Sequence, residues 1–141
     1  MINTAHETVI AFDYGLRNIG LAVGNTLSGT ARPLSIIAAQ NGVPNWAVLA
    51  GVLSEWLPNR LLVGLPLNMD GSDSDIGHRV EKFARQLEGR FGIQVTLVDE
   101  RLSSREAKAN ALAQGHLGDF AANPIDDQAA AIILTTWLNE Q

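Results

Sequence analysis

Carboxylates stand beside apolar segments at three distant points of the sequence. Asp13 ends one apolar run, Asp99 and Glu100 end a second, and Asp126 and Asp127 come directly before a third. A buried strand that ends on a charge is costly unless the charge binds something. Carboxylates without histidine or cysteine are the ligands of Mg²⁺ or Mn²⁺ rather than of zinc. The pattern predicts a divalent-metal site for phosphodiester hydrolysis, in which one ion activates water and the other stabilises the leaving oxygen.

Each of these acids also has a purely structural interpretation. A lone acid after a strand, such as Asp13, is often a turn residue. Asp126 and Asp127 stand where acids favour the first turn of a helix. Glu100 could pair with a neighbouring arginine, and the three histidines show no ligand spacing. The residues alone therefore leave both interpretations open.

The elements that must position these acids follow from the hydrophobic pattern. Three closely spaced strand-like segments, able to form antiparallel hairpins, precede alternating helices and strands, which predicts an α/β fold. Its mixed five-stranded sheet, with the first three strands antiparallel, would carry helices on both faces. The predicted strands are residues 8–13, 19–24, 31–38, 60–64 and 93–98, and the predicted helices are residues 45–57, 75–91, 103–114 and from 126 or 127 onward.

Topology offers one way to bring the acids together. The first and fifth predicted strands each end on an acid, Asp13 and the pair Asp99-Glu100. If these strands are parallel and near each other, their carboxyl ends meet at one edge of the sheet, where open α/β sheets bind ligands. The first turn of the last helix would supply the third acid at the same edge.

Composition narrows the class of protein. The chain has 141 residues with 46% hydrophobic and 18% charged content, which predicts a single globular domain over residues 1–141. Without cysteine there are no disulfides or thiolate metal sites. The start of the chain does not resemble a signal peptide, and no apolar run is long enough to cross a bilayer. We therefore expect a soluble, cytoplasmic protein.

The net charge of −5 is unusual for a protein that binds nucleic acid, because such binding depends on neutralising phosphates. Basic residues are unevenly distributed, however, and four of the ten lie between Arg79 and Arg90. We interpret this basic helix face as solvated surface. The acidic charge slightly favours a non-catalytic protein that binds RNA, the ribosome or the transcription machinery.

Five segments, in order, resemble the motifs of the YqgF family, RNase H-like proteins related to the Holliday-junction resolvase RuvC. The segments are Phe12–Ala22, Thr30–Leu34, Val63–Ser72, Asp99–Ser104 and Ile125–Leu134. The resemblance covers nearly the whole chain and implies an RNase H-like fold with metal-dependent nuclease chemistry. Family members, also called RuvX-like, are described as nucleases that trim the 5′ end of pre-16S ribosomal RNA during ribosome biogenesis, and as Holliday-junction resolvases.

The resemblance also implies which acids form the site. Carried over position by position, the metal-binding and catalytic triad is Asp13, Glu100 and Asp126, with Asp127 as a substitute for the third acid. Asp13, on a rigid central strand, would bridge both Mg²⁺ or Mn²⁺ ions. Pre-ribosomal RNA is the expected substrate, ahead of branched DNA.

Three further residues are candidates for binding the substrate. Arg17 is placed to contact a phosphate, Arg101 either does the same or orients Glu100, and Asn68 is either a ligand or a turn former. The chain departs from the family at Asn18 and in the loop 115–124, where basic residues are common. Because these positions lack the basic residues, we expect weaker nucleic-acid binding around Asn18 and the loop 115–124 than in other family members.

One other enzyme class shares the first motif. Actin-like and sugar-kinase ATPases also begin with a strand that ends in Asp-x-Gly and leads into a hairpin around phosphate. Their fold needs two such domains with the nucleotide between them, and 141 residues supply one. The length of the chain therefore argues against an ATPase.

Overall fold

A computed structural model describes residues 6–65, 75–99 and 126–141. Six strands and three helices are found in these ranges. The strands are β1 (Thr8–Asp13), β2 (Asn18–Asn25), β3 (Thr30–Gln40), β4 (Val43–Pro44), β5 (Arg60–Leu65) and β6 (Gln94–Asp99). The helices are α1 (Trp46–Trp56), α2 (Asp75–Phe91) and α3 (Asp126–Asn139). The predicted helix over residues 103–114 lies outside the described residues.

The strands form one mixed sheet in the order β4-β3-β2-β1-β5-β6. Pairing is antiparallel from β1 through β2 and β3 to β4, whereas β1–β5 and β5–β6 are parallel. The predicted α/β class and antiparallel trio are confirmed, and the two-residue β4 is added to the five predicted strands. The sheet changes from antiparallel to parallel at β1, the strand that ends on Asp13.

Both faces of the sheet are covered by helices, which explains why β1 is apolar at nearly every position. Ile10 and Phe12 belong to the core beneath α1 and α2, and Phe12 meets Phe83 edge to face with ring centroids 5.7 Å apart. Val9 and Ala11 belong to the core beneath α3. Successive residues of β1 thus alternate between the two cores.

Local sequence signals begin and end the helices where predicted. Asn45 caps α1, its Oδ1 accepting hydrogen bonds from the amides of Ala47 and Val48. Leu57, in the left-handed conformation, ends that helix just before Pro58. Gly92 follows α2 with φ of +64°, as a C′ glycine does. Among the described helices, none is long and apolar enough to cross a membrane.

We expect Gly51→Ala to stabilise the protein by about 0.5–1 kcal/mol, because glycine costs conformational entropy within a helix. Gly51 is exposed in α1, and a Cβ added there meets no heavy atom within 4 Å. Gly42→Ala is the matched control and should destabilise the protein. Gly42 has φ of +82°, and an added Cβ would collide with the Tyr14 hydroxyl. Urea unfolding measures both changes, and destabilisation by Gly51→Ala would contradict this packing of α1.

Candidate metal and nucleic-acid site

Asp13 is the last residue of β1 and lies on the α3 face of the sheet. Val9 and Ala11 pack beneath α3, and side chains alternate along a strand, so Asp13 projects from the same face. The residue is partly buried. The strand before it is fully buried, which fixes the backbone that carries the carboxylate.

Glycines flank Asp13 on both neighbouring strands. Gly20 of β2 is its antiparallel partner. On β5, Val63 is the partner of Phe12, so the next residue, Gly64, lies beside Asp13. The directly paired residues of both neighbouring strands therefore place no side chain beside the Asp13 carboxylate.

Asp99, the described member of the second predicted pair of acids, lies on the other face of the sheet from Asp13. Val98 belongs to the core beneath α3, and Thr96 accepts a hydrogen bond from Arg60 on the same face. Alternation places Asp99 on the opposite face, towards α2. β5 separates β6 from β1, which corresponds to about 10 Å across the sheet. Asp13 and Asp99 thus share an edge of the sheet but not a face, and Glu100 lies outside the described residues.

The C-terminal half of α3 packs on the sheet beside the start of β1. A Cβ on Gly24 would lie 3.0 Å from Leu134 Cδ2, and Gly24 is the partner of Val9 near the start of β1. The Arg60 guanidinium lies 5.4 Å from the centre of the Trp137 ring, and Arg60 is also a partner of Val9. Leu134 and Trp137 thus place the C-terminal half of α3 over the beginning of β1.

Element lengths set the reach of α3 from its contact with the sheet. From Leu134 back to Asp126, the first residue of α3, the helix axis extends about 12 Å at 1.5 Å per residue. From Val9 to Asp13 the strand extends about 13 Å. The two lengths are similar, as a shared site for Asp13 and Asp126 would require.

Asp127, the second of the two acids at the start of α3, accepts a hydrogen bond within its own helix. Asp127 is partly buried, and its Oδ1 accepts a 2.9 Å hydrogen bond from the amide of Gln128. Its carboxylate thus satisfies an amide of the first helical turn, which is the structural role expected of an acid there.

The turn after Asp13 is held by the β3–β4 hairpin. The carbonyl of Leu16 accepts a hydrogen bond from Gly42, and the carbonyl of Arg17 accepts one from Ala39. A Cβ on Gly15 would be 2.5 Å from the carbonyl oxygen of Asn18, so the tight turn requires glycine. Arg17 is exposed in this turn. Its charge therefore lies at the same edge of the sheet as Asp13.

Tyr14 makes contacts beside the candidate site that sequence reasoning missed. It follows Asp13 and so projects from the opposite face, where its ring lies 5.0 Å from that of Phe83. Its hydroxyl donates a 2.8 Å hydrogen bond to the carbonyl of Gly42. The available signal was strand alternation, which predicts the face of Tyr14 but not its partner 28 residues away.

The predicted site is thus described in part. Asp13 and Arg17 lie at one edge of the sheet, and α3 packs on the face from which Asp13 projects. Asn68, Glu100 and Arg101 fall outside the described residues. Within residues 6–65, 75–99 and 126–141, no group of three potential ligand side chains is found. The donor chemistry of Asp13, a carboxylate on a rigid strand between two glycines, fits a hard divalent cation.

Comparison with known proteins places the chain in a family. The family model described as "RuvX: Holliday junction resolvase" matches residues 7–140. A protein of Azotobacter vinelandii named "Putative pre-16S rRNA nuclease" is 49% identical over 133 residues, 94% of each chain. One of the same name from Yersinia pestis is 47% identical over 137 residues, 97% of this chain and 98% of that protein.

Solved structures agree in fold. T. thermophilus RuvC in complex with Holliday junction substrate has a TM-score of 0.58 at 22% identity, covering 95% of this chain and 94% of that one. Fowlpox virus resolvase with its substrate Holliday junction DNA has a TM-score of 0.56 at 12% identity, covering 94% and 97%. The predicted RNase H-like fold is therefore confirmed, and this chain belongs to the RuvX (YqgF) family.

Proposed function

We propose that this protein is a divalent-metal-dependent nuclease that cleaves phosphodiester bonds at the Asp13 edge of the sheet. The observation that carries the proposal is the placement of Asp13 at the end of a buried central strand, on the face of the sheet that α3 covers. Asp126 is the first residue of α3, so the proposed site would combine acids from two elements far apart in sequence. The proposed substrate is the 5′ end of pre-16S ribosomal RNA, supported by the names of the two bacterial relatives, and the proposed place of action is the cytoplasm.

Asp13, Glu100 and Asp126 are proposed to hold Mg²⁺ or Mn²⁺. Glu100 is preferred to Asp99 because Asp99 projects to the α2 face, away from Asp13. Asp126 is preferred to Asp127 because Asp127 accepts the hydrogen bond from Gln128. When bound, the ions would supply an activated water and charge stabilisation at the leaving oxygen.

The protein itself would orient the Asp13 carboxylate and bind the phosphates of the substrate. β1 fixes Asp13, because both neighbouring strands are hydrogen-bonded to it and its apolar residues are buried. Arg17, exposed in the turn that the β3–β4 hairpin holds, would bind a phosphate beside the scissile bond. Asn68 and Arg101 are proposed as further substrate contacts.

A second candidate substrate is the four-way DNA junction, which the description of the matching family model favours. The acids and the chemistry are the same for both substrates. A junction has two strands to cut, so a resolvase would act as a pair of sites. The choice between RNA and branched DNA therefore depends on a direct assay.

Wild-type protein with Mn²⁺ should cleave a pre-16S 5′ leader RNA faster than a four-way DNA junction. Asp126→Asn should lower the rate by about a thousandfold, because a lost metal ligand removes several kcal/mol of transition-state stabilisation. Asp127→Asn should stay within about threefold of wild type, which corresponds to under 1 kcal/mol. Gel assays of single-turnover cleavage measure all of these rates.

The outcomes separate the alternatives. Preferential cutting of the junction would establish the resolvase in place of the RNA nuclease. If Asp127→Asn lowers the cleavage rate more than Asp126→Asn does, then Asp127 is the third metal ligand in place of Asp126. Binding of the leader RNA without cleavage of either substrate would refute the nuclease and support the non-catalytic RNA-binding protein.

A further inference from the structure

A basic cavity lies on the other face of the sheet from Asp13. Its volume is about 410 Å³. It lies between the N-terminal half of α2 and the hairpin that joins β3 to β4, and Tyr14 forms part of its lining. Its lining includes Tyr14, Asn41, Gly42, Arg79, Lys82 and Phe83. We refer to it as the α2 pocket.

The α2 pocket is built directly onto the strand end of the proposed site. Tyr14, the residue after Asp13, packs its ring against Phe83 and donates its hydroxyl hydrogen to Gly42. Phe83 is almost completely buried, so this side of the pocket is anchored in the core. Asp13 and Tyr14 face opposite sides of the sheet, and a polymer that crosses the edge would meet both.

Cations of the pocket are available to an anion. Nη1 of Arg79 lies 3.3 Å from the carbonyl oxygen and 3.4 Å from the side-chain oxygen of Asn41, which holds the guanidinium beside the hairpin. Lys82, one turn further along α2, is exposed. Within the described ranges neither residue forms an ion pair, and no carboxylate lines the pocket.

We infer that the α2 pocket binds a backbone phosphate, with its nucleotide, of the single-stranded RNA whose scissile bond lies at Asp13. The inference rests on the proposed function. The volume of the α2 pocket falls within the size range of small-ligand sites. The positive charges of Arg79 and Lys82 match the negative charge of a phosphodiester. A protein of net charge −5 repels a polyanion as a whole, so a pocket without acids next to the reacting edge is where such a strand is held.

Lys82→Gln should weaken binding of a fluorescein-labelled oligouridylate by about three- to tenfold and reduce the salt slope of log Kd by about 0.7, the value for one phosphate contact to a single strand. Arg85→Gln is the matched control. It removes the same charge from the same helix, but Arg85 lines the groove between α2 and β6. Lys82→Arg should restore binding. Fluorescence anisotropy with a chelator present, across a series of salt concentrations, measures affinity without cleavage.

If Lys82→Gln and Arg85→Gln weaken binding of the oligouridylate equally, the effect comes from the net charge of the protein and not from the α2 pocket. That result would overturn the inference. So would unchanged binding by Lys82→Gln. Nitrogen-15 spectra give a second readout, in which the amides of Asn41 and Gly42 should shift on adding the oligouridylate to wild type but not to Lys82→Gln. The assay needs no catalysis, so failure of wild type to cleave the leader RNA overturns the proposed function and leaves this binding result to be judged separately.

Discussion

Asp13→Asn should reduce Mn²⁺-dependent cleavage of the pre-16S leader RNA by at least about a thousandfold. Asparagine keeps the shape of the side chain but removes the charge that would hold a divalent ion, at the position proposed to contact both ions. Several kcal/mol of lost transition-state stabilisation correspond to a loss of this size. The rate should be measured in single turnover with enzyme in excess, so that a change in RNA affinity does not mask the chemical step.

Glu55→Gln is a suitable control for that experiment, because Glu55 is an exposed carboxylate on α1, away from the Asp13 edge. It should cleave at the wild-type rate. Thermal melting provides a second readout: Mn²⁺ should raise the Tm of wild type and of Glu55→Gln, because an ion that binds only the folded state stabilises it, and should leave Asp13→Asn unchanged. Equal cleavage by Asp13→Asn and wild type would indicate a contaminating nuclease and remove Asp13 from the site.

Leu134→Ala should destabilise the protein by about 2–5 kcal/mol, the usual cost of truncating a fully buried leucine. Leu134 is completely buried and packs α3 onto the sheet at Gly24. Because α3 carries Asp126, loosening this contact should also lower the cleavage rate at temperatures well below the melting transition. Urea unfolding and cleavage rates at several temperatures measure the two effects.

The neighbouring Thr135 is exposed, so Thr135→Ala changes the same helix without touching the sheet. It should alter stability by no more than about 0.5 kcal/mol. If Leu134→Ala lowers the free energy of unfolding no more than Thr135→Ala does, then α3 is not docked on β1 and β2 as described. The proposed third acid would then lose its structural support.

Local signals explain which parts of the fold were predictable. Asn45, Pro58 and Gly92 act on their immediate neighbours, and the helix ends they predict are confirmed. β4 was missed because it has two residues and pairs only with Ala39 and Gln40. A strand that short carries no hydrophobic alternation to detect.

The site was predictable where it depends on a single strand and not where it depends on packing. Asp13 was selected because it ends an apolar run, and strand alternation assigns it a face. The Tyr14–Gly42 hydrogen bond joins elements that only the folded sheet brings together. Likewise Arg79 and Lys82 were interpreted as solvated surface; they are exposed, but the sequence could not show that the β3–β4 hairpin makes a pocket with them.

The position of α3 at the end of the chain has a consequence for the order in which the protein matures. β1, β2 and β3 pair with their neighbours in sequence and can associate as soon as they are made. α3 docks onto these same strands but is translated after β5, α2 and β6. With Asp126 as a ligand, a nascent chain would display Asp13 long before its partner arrives. Phosphodiester cleavage at the proposed site would then begin only once α3 has docked on the sheet, so that activity would report that the whole chain has been made and folded.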